Sequence, residues 1–372
     1  MSVSAAWPRV IVGLATFAVT ALLGLAGLLA FDADRALDSW ALVTVIAVPL
    51  AIGAYALVEY LQTGRIDSVT RQFDTRIIVL MPVAMALNIA LGMAVASALK
   101  IPIWLDSIGT ILVAALGGPL AGALTGFLGC LVWTFFAPPP FGSPYAAPFA
   151  IVAVVIGLLG GSFARWGWLR PRPGTPDRQL LAGALVAMGL VVVMAALAVR
   201  GWQAIGEETR LDPRSTDLAF LLLGWLALAL VATTVVGLAV LLAWKRDLAA
   251  AYVVVAGVVT GLVAAFIAAP IAANVYGGVT GSGADFVIAA FRQAGADLGQ
   301  AVLGQALISD PIDKVVTYFV AFLVLAALTD RTKARFPQGE HLLAEPRDRT
   351  AEPTAGRLVG HRGAGSAQGT DP

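Results

Sequence analysis

Long apolar runs broken by short polar segments dominate the chain, and polar residues inside the runs are few enough to name one by one. About 20 apolar residues cross a hydrocarbon core about 30 Å thick. On that scale the pattern predicts helical spans at 10–31, 40–61, 77–99, 147–168, 180–200, 218–244, 249–269 and 312–328. The stretch IPIWLDSIGTILVAALGGPLAG, residues 101–122, resists treatment as one span. Residues 107–117 make a short helix of about 16 Å and 119–136 a longer one, joined by a turn at Gly117, Gly118 and Pro119. Proline suits the first turn of the second helix, where its missing N–H would have had no partner. The expectation is an all-α integral membrane protein with ten crossings.

Loop charge gives an independent check, because short cytoplasmic loops carry an excess of Lys and Arg. With the N-terminus inside, the inner loops hold Arg65, Arg71 and Arg76, then Arg170, Arg172 and Arg178, then Lys245 and Arg246, then Arg331, Lys333 and Arg335. The opposite loops are acidic, uncharged or mixed. Losing the short 107–117 crossing would invert every later loop, so ten crossings and two cytoplasmic termini belong together. Segments 1–76, 77–170, 171–248, 249–336 and 337–372 follow as units, the last a polar tail expected to be disordered from about Pro337.

Composition narrows the chemistry. Apolar residues make up 59% and charged residues 13% of 372 positions, with a net charge of +1, which excludes the basic arrays of nucleic-acid binders. The single cysteine, Cys130, lies in an apolar run, and both histidines, His341 and His361, lie in the tail. Metal or nucleophilic catalysis inside the membrane would therefore lack imidazole, and no phosphate-binding GxxxxGK[ST] loop occurs. The chain is read as a non-enzyme with no cofactor and no metal.

Candidate binding residues gather near one face. Asp106 and Ser107 open the short helix, where either residue type can cap free N–H groups; the alternative is that Asp106, Ser107 and Thr110 face an external cavity beside Trp104. Asn88 sits in the middle of the 77–99 run, where an amide needs a partner or a ligand. Trp133 ends the next crossing before the proline-rich APPPFGSPYAAP loop, and PIAANVYGGVTGSGADF supplies Asn274, Tyr276 and Thr280. Three irregular polar and aromatic loops on one side suggest a pocket for a small molecule. Between Gly281 and Pro311 an amphipathic pattern reads as an interfacial helix, either a surface element or a lid. Asp310, Asp313 and Lys314 are secondary candidates, since acidic residues opening a last crossing also suit the helix dipole.

Two stripes of small residues, Ala86, Ala90, Ala94 and Ala98, and Gly118, Gly122 and Gly126, allow close helix approach in lipid. They serve either internal packing or the docking of a partner. At these residues the chain resembles a known family. LNIALGMAVASALKIPIWLDSIGTILVAALGGPLAGALTGFLGCLVW, APIAANVYGGVTGSGADF and SDPIDKVVTYFVAFLVLAAL resemble the substrate-binding S components of energy-coupling factor (ECF) transporters, over about half the chain. The resemblance implies a six-helix core with both termini cytoplasmic in a bacterial cytoplasmic membrane. It implies capture of a vitamin or similar micronutrient through the outer loops, and docking through Ala86, Ala90 and Ala94 to a transmembrane coupling subunit joined to two ATPases. Hairpins at 10–61 and 180–244 are additions to that core, and they could cover the docking face. Two other classes stay open: a membrane sensor or scaffold whose pocket reports to a partner, and a self-sufficient ion-coupled carrier, which would want an acidic relay at mid-membrane.

Overall fold

Apolar continuity dictates helix here, because a backbone inside lipid must pair every N–H and C=O within its own segment. In a computed structural model of the chain, the structure describes residues 7–29, 36–138, 142–143, 145–208, 236, 240, 246–293 and 295–344. These residues form helices and turns and no strand. In chain order they are α1 (Trp7–Leu29), α2 (Ala36–Thr63), the single turn α3 (Asp67–Thr70), and α4 (Thr75–Gly92), which runs on as a π-helix (Met93–Ala98). Then come α5 (Ile108–Gly117), α6 (Pro119–Phe135), a 3₁₀ turn (Ala147–Phe149) leading into α7 (Ala150–Arg165), and α8 (Asp177–Glu208). The last group is α9 (Ala249–Tyr276), α10 (Ala284–Gln293), α11 (Leu298–Ala327) and the turn α12 (Asp330–Lys333).

Among the described residues five segments, in α2, α4 with its π-helical end, α7 with its leading turn, α8 and α9, are long and apolar enough to cross a membrane, and α5 and α6 are shorter apolar helices. Among the described residues the protein is therefore all-α, with the long apolar helices of a membrane protein. The expected span at 218–244 lies outside the described residues apart from 236 and 240.

Glycine sets the distances between helices. A Cβ on Gly157 of α7 would fall 2.3 Å from the Ala123 nitrogen of α6, and one on Gly161 2.4 Å from the Pro119 nitrogen. A Cβ on Gly122 would meet the Ala114 side chain at 2.3 Å. The Gly118, Gly122 and Gly126 stripe is thus spent inside the bundle, as dispersion-driven packing in lipid favours. Gly257 and Gly261 do the same between α9 and α11, where a Cβ would come within 2.5 Å of the Val315 Cα and 2.4 Å of the Pro311 Cα. Ala86, Ala90 and Ala94 are different, for all three are exposed on α4 and the π-helix that continues it.

The N-terminal hairpin is clasped at its base. Arg9 and Glu59 form a buried ion pair at 3.2 Å, Arg9 Nε donates to Gln62, and Ser68 donates through both its backbone N–H and its hydroxyl to Glu59. A buried pair of charges is tolerable only when its remaining polar atoms are also paired, and here Arg9 Nε and both Glu59 oxygens have further partners. Beyond α1, α2 packs on α7, α9 and the 3₁₀ turn.

Three boundaries differ from the sequence reading. The last long helix begins at Leu298, held by a capping box in which Asp297 accepts from the Gln300 N–H and the Gln300 side chain accepts from the Asp297 N–H. Asp310, Asp313 and Lys314 are therefore interior to α11, not first-turn caps, and Pro311 sits inside the helix. The amphipathic segment resolves into α10 plus the start of α11; α10 packs on α8 and α11. Finally, residues 337–344 are built into the bundle rather than starting a loose tail. The Gln338 backbone N–H donates to the Leu116 carbonyl at 2.8 Å and its side-chain amide to the Gly161 carbonyl at 2.8 Å, so it closes the ends of α5 and α7. Leu342 is fully buried behind it.

Candidate functional site

At the end of the bundle opposite Gln338, the 99–107 loop is built before any ligand enters. α4 loosens into its π-turn at Met93–Ala98, a distortion frequent at functional sites, and the chain then turns with positive φ at Lys100 and Leu105. Such backbone costs an L-residue roughly 1–2 kcal/mol and persists only where neighbours hold it. Asp313 of α11 does the holding: its Oδ1 accepts the Trp104 N–H at 3.2 Å and the Leu105 N–H at 2.7 Å. Lys100 donates to the Gly281 carbonyl, and Gly283 passes so close to Lys100 that a Cβ there would lie 2.1 Å from its carbonyl oxygen.

Asn88 bridges α4 and α5. Its Nδ2 donates to Thr110 Oγ1 at 2.9 Å and its Oδ1 accepts the Gly109 N–H at 2.8 Å. The mid-span amide therefore finds partners within the protein, with one N–H left over.

These elements line a partly open cavity of about 110 Å³, against roughly 10–15 Å³ for a single water. Asn88, Trp104, Asp106, Ser107, Thr110 and Trp133 all line it, and so do the secondary candidates Asp310, Asp313 and Lys314. Sequence spacing had set these two groups apart, and α11 carries the second into the first. Lys314 Nζ is the hub: it donates to Ser107 Oγ at 2.8 Å and to Asp313 Oδ2 at 2.5 Å, and lies 3.7 Å from Asp106 Oδ1. Burial pushes the Asp106 carboxyl above the ordinary carboxylate range, while the Lys314 ammonium pulls it back. Asp106 does not cap α5, since the N-cap position is Ser107 and makes no side-chain cap bond.

Three predicted residues fall elsewhere. Asn274 is exposed on α9 and donates to the Pro270 carbonyl. Thr280 spends its hydroxyl on Asp285 and Ser282, tying the 277–283 loop to the start of α10. Tyr276 stands one layer behind the cavity wall: its hydroxyl donates to the Tyr145 carbonyl at 3.2 Å, and its ring packs on Tyr145 and Phe149. Tyr145 and Phe149 themselves line the cavity. Tyr145 lies in the proline-rich loop that the sequence marked as aromatic, whereas Phe149 lay unnoticed at the start of an apolar run. The floor is apolar, with Cys130, Ile156 and Ala264. α10 contributes nothing to the lining, so the lid reading of that segment is not what the structure displays.

Among the described residues no cluster of three or more His, Cys, Asp or Glu side chains is placed to hold a metal ion. The arrangement can instead enclose a compact organic molecule between aromatic rings and fix one end of it by charge. No protein-family model, curated protein or solved structure matches the chain.

Proposed function

We propose that the chain is the substrate-binding subunit of an ECF-type importer. It captures a vitamin-like or other small micronutrient outside the cell and delivers it inward together with a separate coupling subunit and two ATPases. The observation that carries this reading is the cavity: six residues singled out for substrate contact, Asn88, Trp104, Asp106, Ser107, Thr110 and Trp133, line one and the same space.

Two further features support it. The basic loops gather at the Gln338 end, where Arg76 donates to the Arg335 carbonyl and Gln72 receives the Leu120 N–H. With positive charge inside, the cavity end then faces outward in a bacterial cytoplasmic membrane, with ten crossings and both termini inside. The exposed Ala86, Ala90 and Ala94 stripe offers a flat face to a coupling subunit. α2 packs on α7 and α9, so the first added hairpin lies against other helices. Co-expression with an ECF coupling module tests the proposal. The parent chain should co-purify with the module and Ala90→Trp should not; co-purification unaffected by Ala90→Trp removes the docking face.

A second reading has one observation in its favour. Asp310, Asp313 and Lys314 place ionisable groups on a long helix beside the cavity, as an ion-coupled carrier needs. Uptake by the purified chain alone in liposomes, driven by a pH gradient and without any ATPase, would establish that reading and exclude the first.

A further inference from the structure

The charge of the cavity, taken with its aromatic wall, says what kind of molecule it suits. Among the described residues its lining includes three carboxyl side chains, Asp106, Asp310 and Asp313, and one ammonium, Lys314. Asp313 is fully engaged, since one oxygen takes two backbone N–H groups and the other takes Lys314. The Lys314 ammonium is spent on Asp313 and Ser107 and reaches Asp106 only at 3.7 Å. Asp310 makes neither hydrogen bond nor ion pair among the described residues. Three carboxyl groups against one ammonium leave Asp310 without a close cationic partner and Asp106 with only a distant one, beside rings and aliphatic groups that solvate charge poorly.

An anionic ligand would set like charge beside these carboxyls and a neutral one would give them nothing; a cation supplies the partner they lack. The rings add to the preference. Trp104 and Trp133 meet edge to face at 6.5 Å, and Tyr145 and Phe149 are braced from behind by Tyr276. Electron-rich ring faces attract an organic cation by about 0.5–2 kcal/mol each, most strongly where water is excluded. A bare metal ion would leave the rings and the aliphatic floor without a role, and the described residues hold no metal-ligating cluster.

We propose that the molecule bound here is a small organic cation, a ring or branched body carrying a quaternary, iminium or ammonium nitrogen, whose charge is met by Asp310 and Asp106 and whose body packs against Trp104, Trp133, Tyr145 and Phe149. The proposal rests on the reading of the cavity as the substrate site.

Calorimetry on the purified full-length chain with three probes of similar size tests it: benzyltrimethylammonium, benzyl alcohol and benzoate. The cation should bind at least tenfold more tightly than benzyl alcohol, and benzoate should bind more weakly than either. Asp310→Asn should weaken the cation at least tenfold, and Trp133→Phe should weaken it less than Trp133→Ala. Equal affinity for cation and alcohol, preference for benzoate, or absence of cation binding overturns the proposal. Co-purification with the coupling module does not depend on ligand charge, so failure here leaves the transport reading to be decided by that separate experiment.

Discussion

Removing the one ammonium in the cavity should destabilise the protein more than any change of equal size on its surface. Lys314 is 4% exposed and Asp313 1%, so Lys314→Met strips the partner from one carboxylate oxygen of Asp313 and leaves Ser107 without its donor. Breaking a buried pair from one side costs about 3–5 kcal/mol. At roughly 2–4 °C per kcal/mol, the thermal midpoint in detergent should fall by about 6–20 °C. The double variant Lys314→Met, Asp313→Asn separates charge from shape. Asparagine keeps an oxygen for the Trp104 and Leu105 N–H groups while removing the orphaned charge, and a neutral pair of similar volume is often no worse than the ionic one. The double variant should therefore recover at least half of the loss, measured by size-exclusion recovery after a temperature series. A single variant as stable as the parent, or a double variant weaker than the single, would refute the claim that Asp313 holds the 99–107 loop while Lys314 pays for its charge.

Gly157→Val forces a side chain into the Ala123 backbone and should cost at least the 1–3 kcal/mol or so typical of overpacking; Gly53→Ala, inside α2 with nothing within 4 Å of its Cβ position, should raise the thermal midpoint slightly, because alanine is the better helix former. Asn88→Ala removes both links from α4 to Thr110 and Gly109 and should cost about 2–4 kcal/mol, because the buried Gly109 N–H loses its acceptor. Asp106→Asn should weaken ligand binding and leave expression intact. For pH, the sign follows from the raised Asp106 pKa: in the empty protein its carboxyl keeps its proton to a higher pH than usual, opposed by Lys314 and reinforced by Asp313. Affinity for benzyltrimethylammonium should accordingly rise with pH through that raised pKa and then level off, with a flatter profile in Asp106→Asn; calorimetry across a pH series reads both.

Local signals carried much of the fold. The break at Gly117, Gly118 and Pro119 was legible because helix breakers act where they stand, and α5 and α6 start and stop within about a residue of the expected bounds. Isolated polar groups in apolar runs pointed to the cavity for the same reason: Asn88, Asp106 and Thr110 have no cheap alternative in lipid. What could not be read was the partner of each group. Asp313 binds the N–H of Leu105, 208 positions away, and no spacing rule reaches that far. Pro311 and its charged neighbours imitated a helix boundary, yet the helix continues through them because α9 closes on Pro311 through Gly261. Thr280 and Asn274 looked like ligand contacts for the converse reason, since a polar residue can equally be used by its own segment: Thr280 ties the glycine-rich loop to Asp285, and Asn274 bonds back to the Pro270 carbonyl one turn earlier in α9. Gln338 gave no signal at all, and only the ends of α5 and α7 explain why it is buried.

The central claim is that the space between Trp104, Trp133 and the α11 carboxylates is where a small molecule binds. Native mass spectrometry of the purified chain after incubation with a metabolite extract measures this most directly. One added small molecule per chain is expected, positively charged in solution at neutral pH once released, and lost in Trp133→Ala. A chain that takes up nothing, or that takes up a molecule equally well with Trp133 replaced, would contradict it.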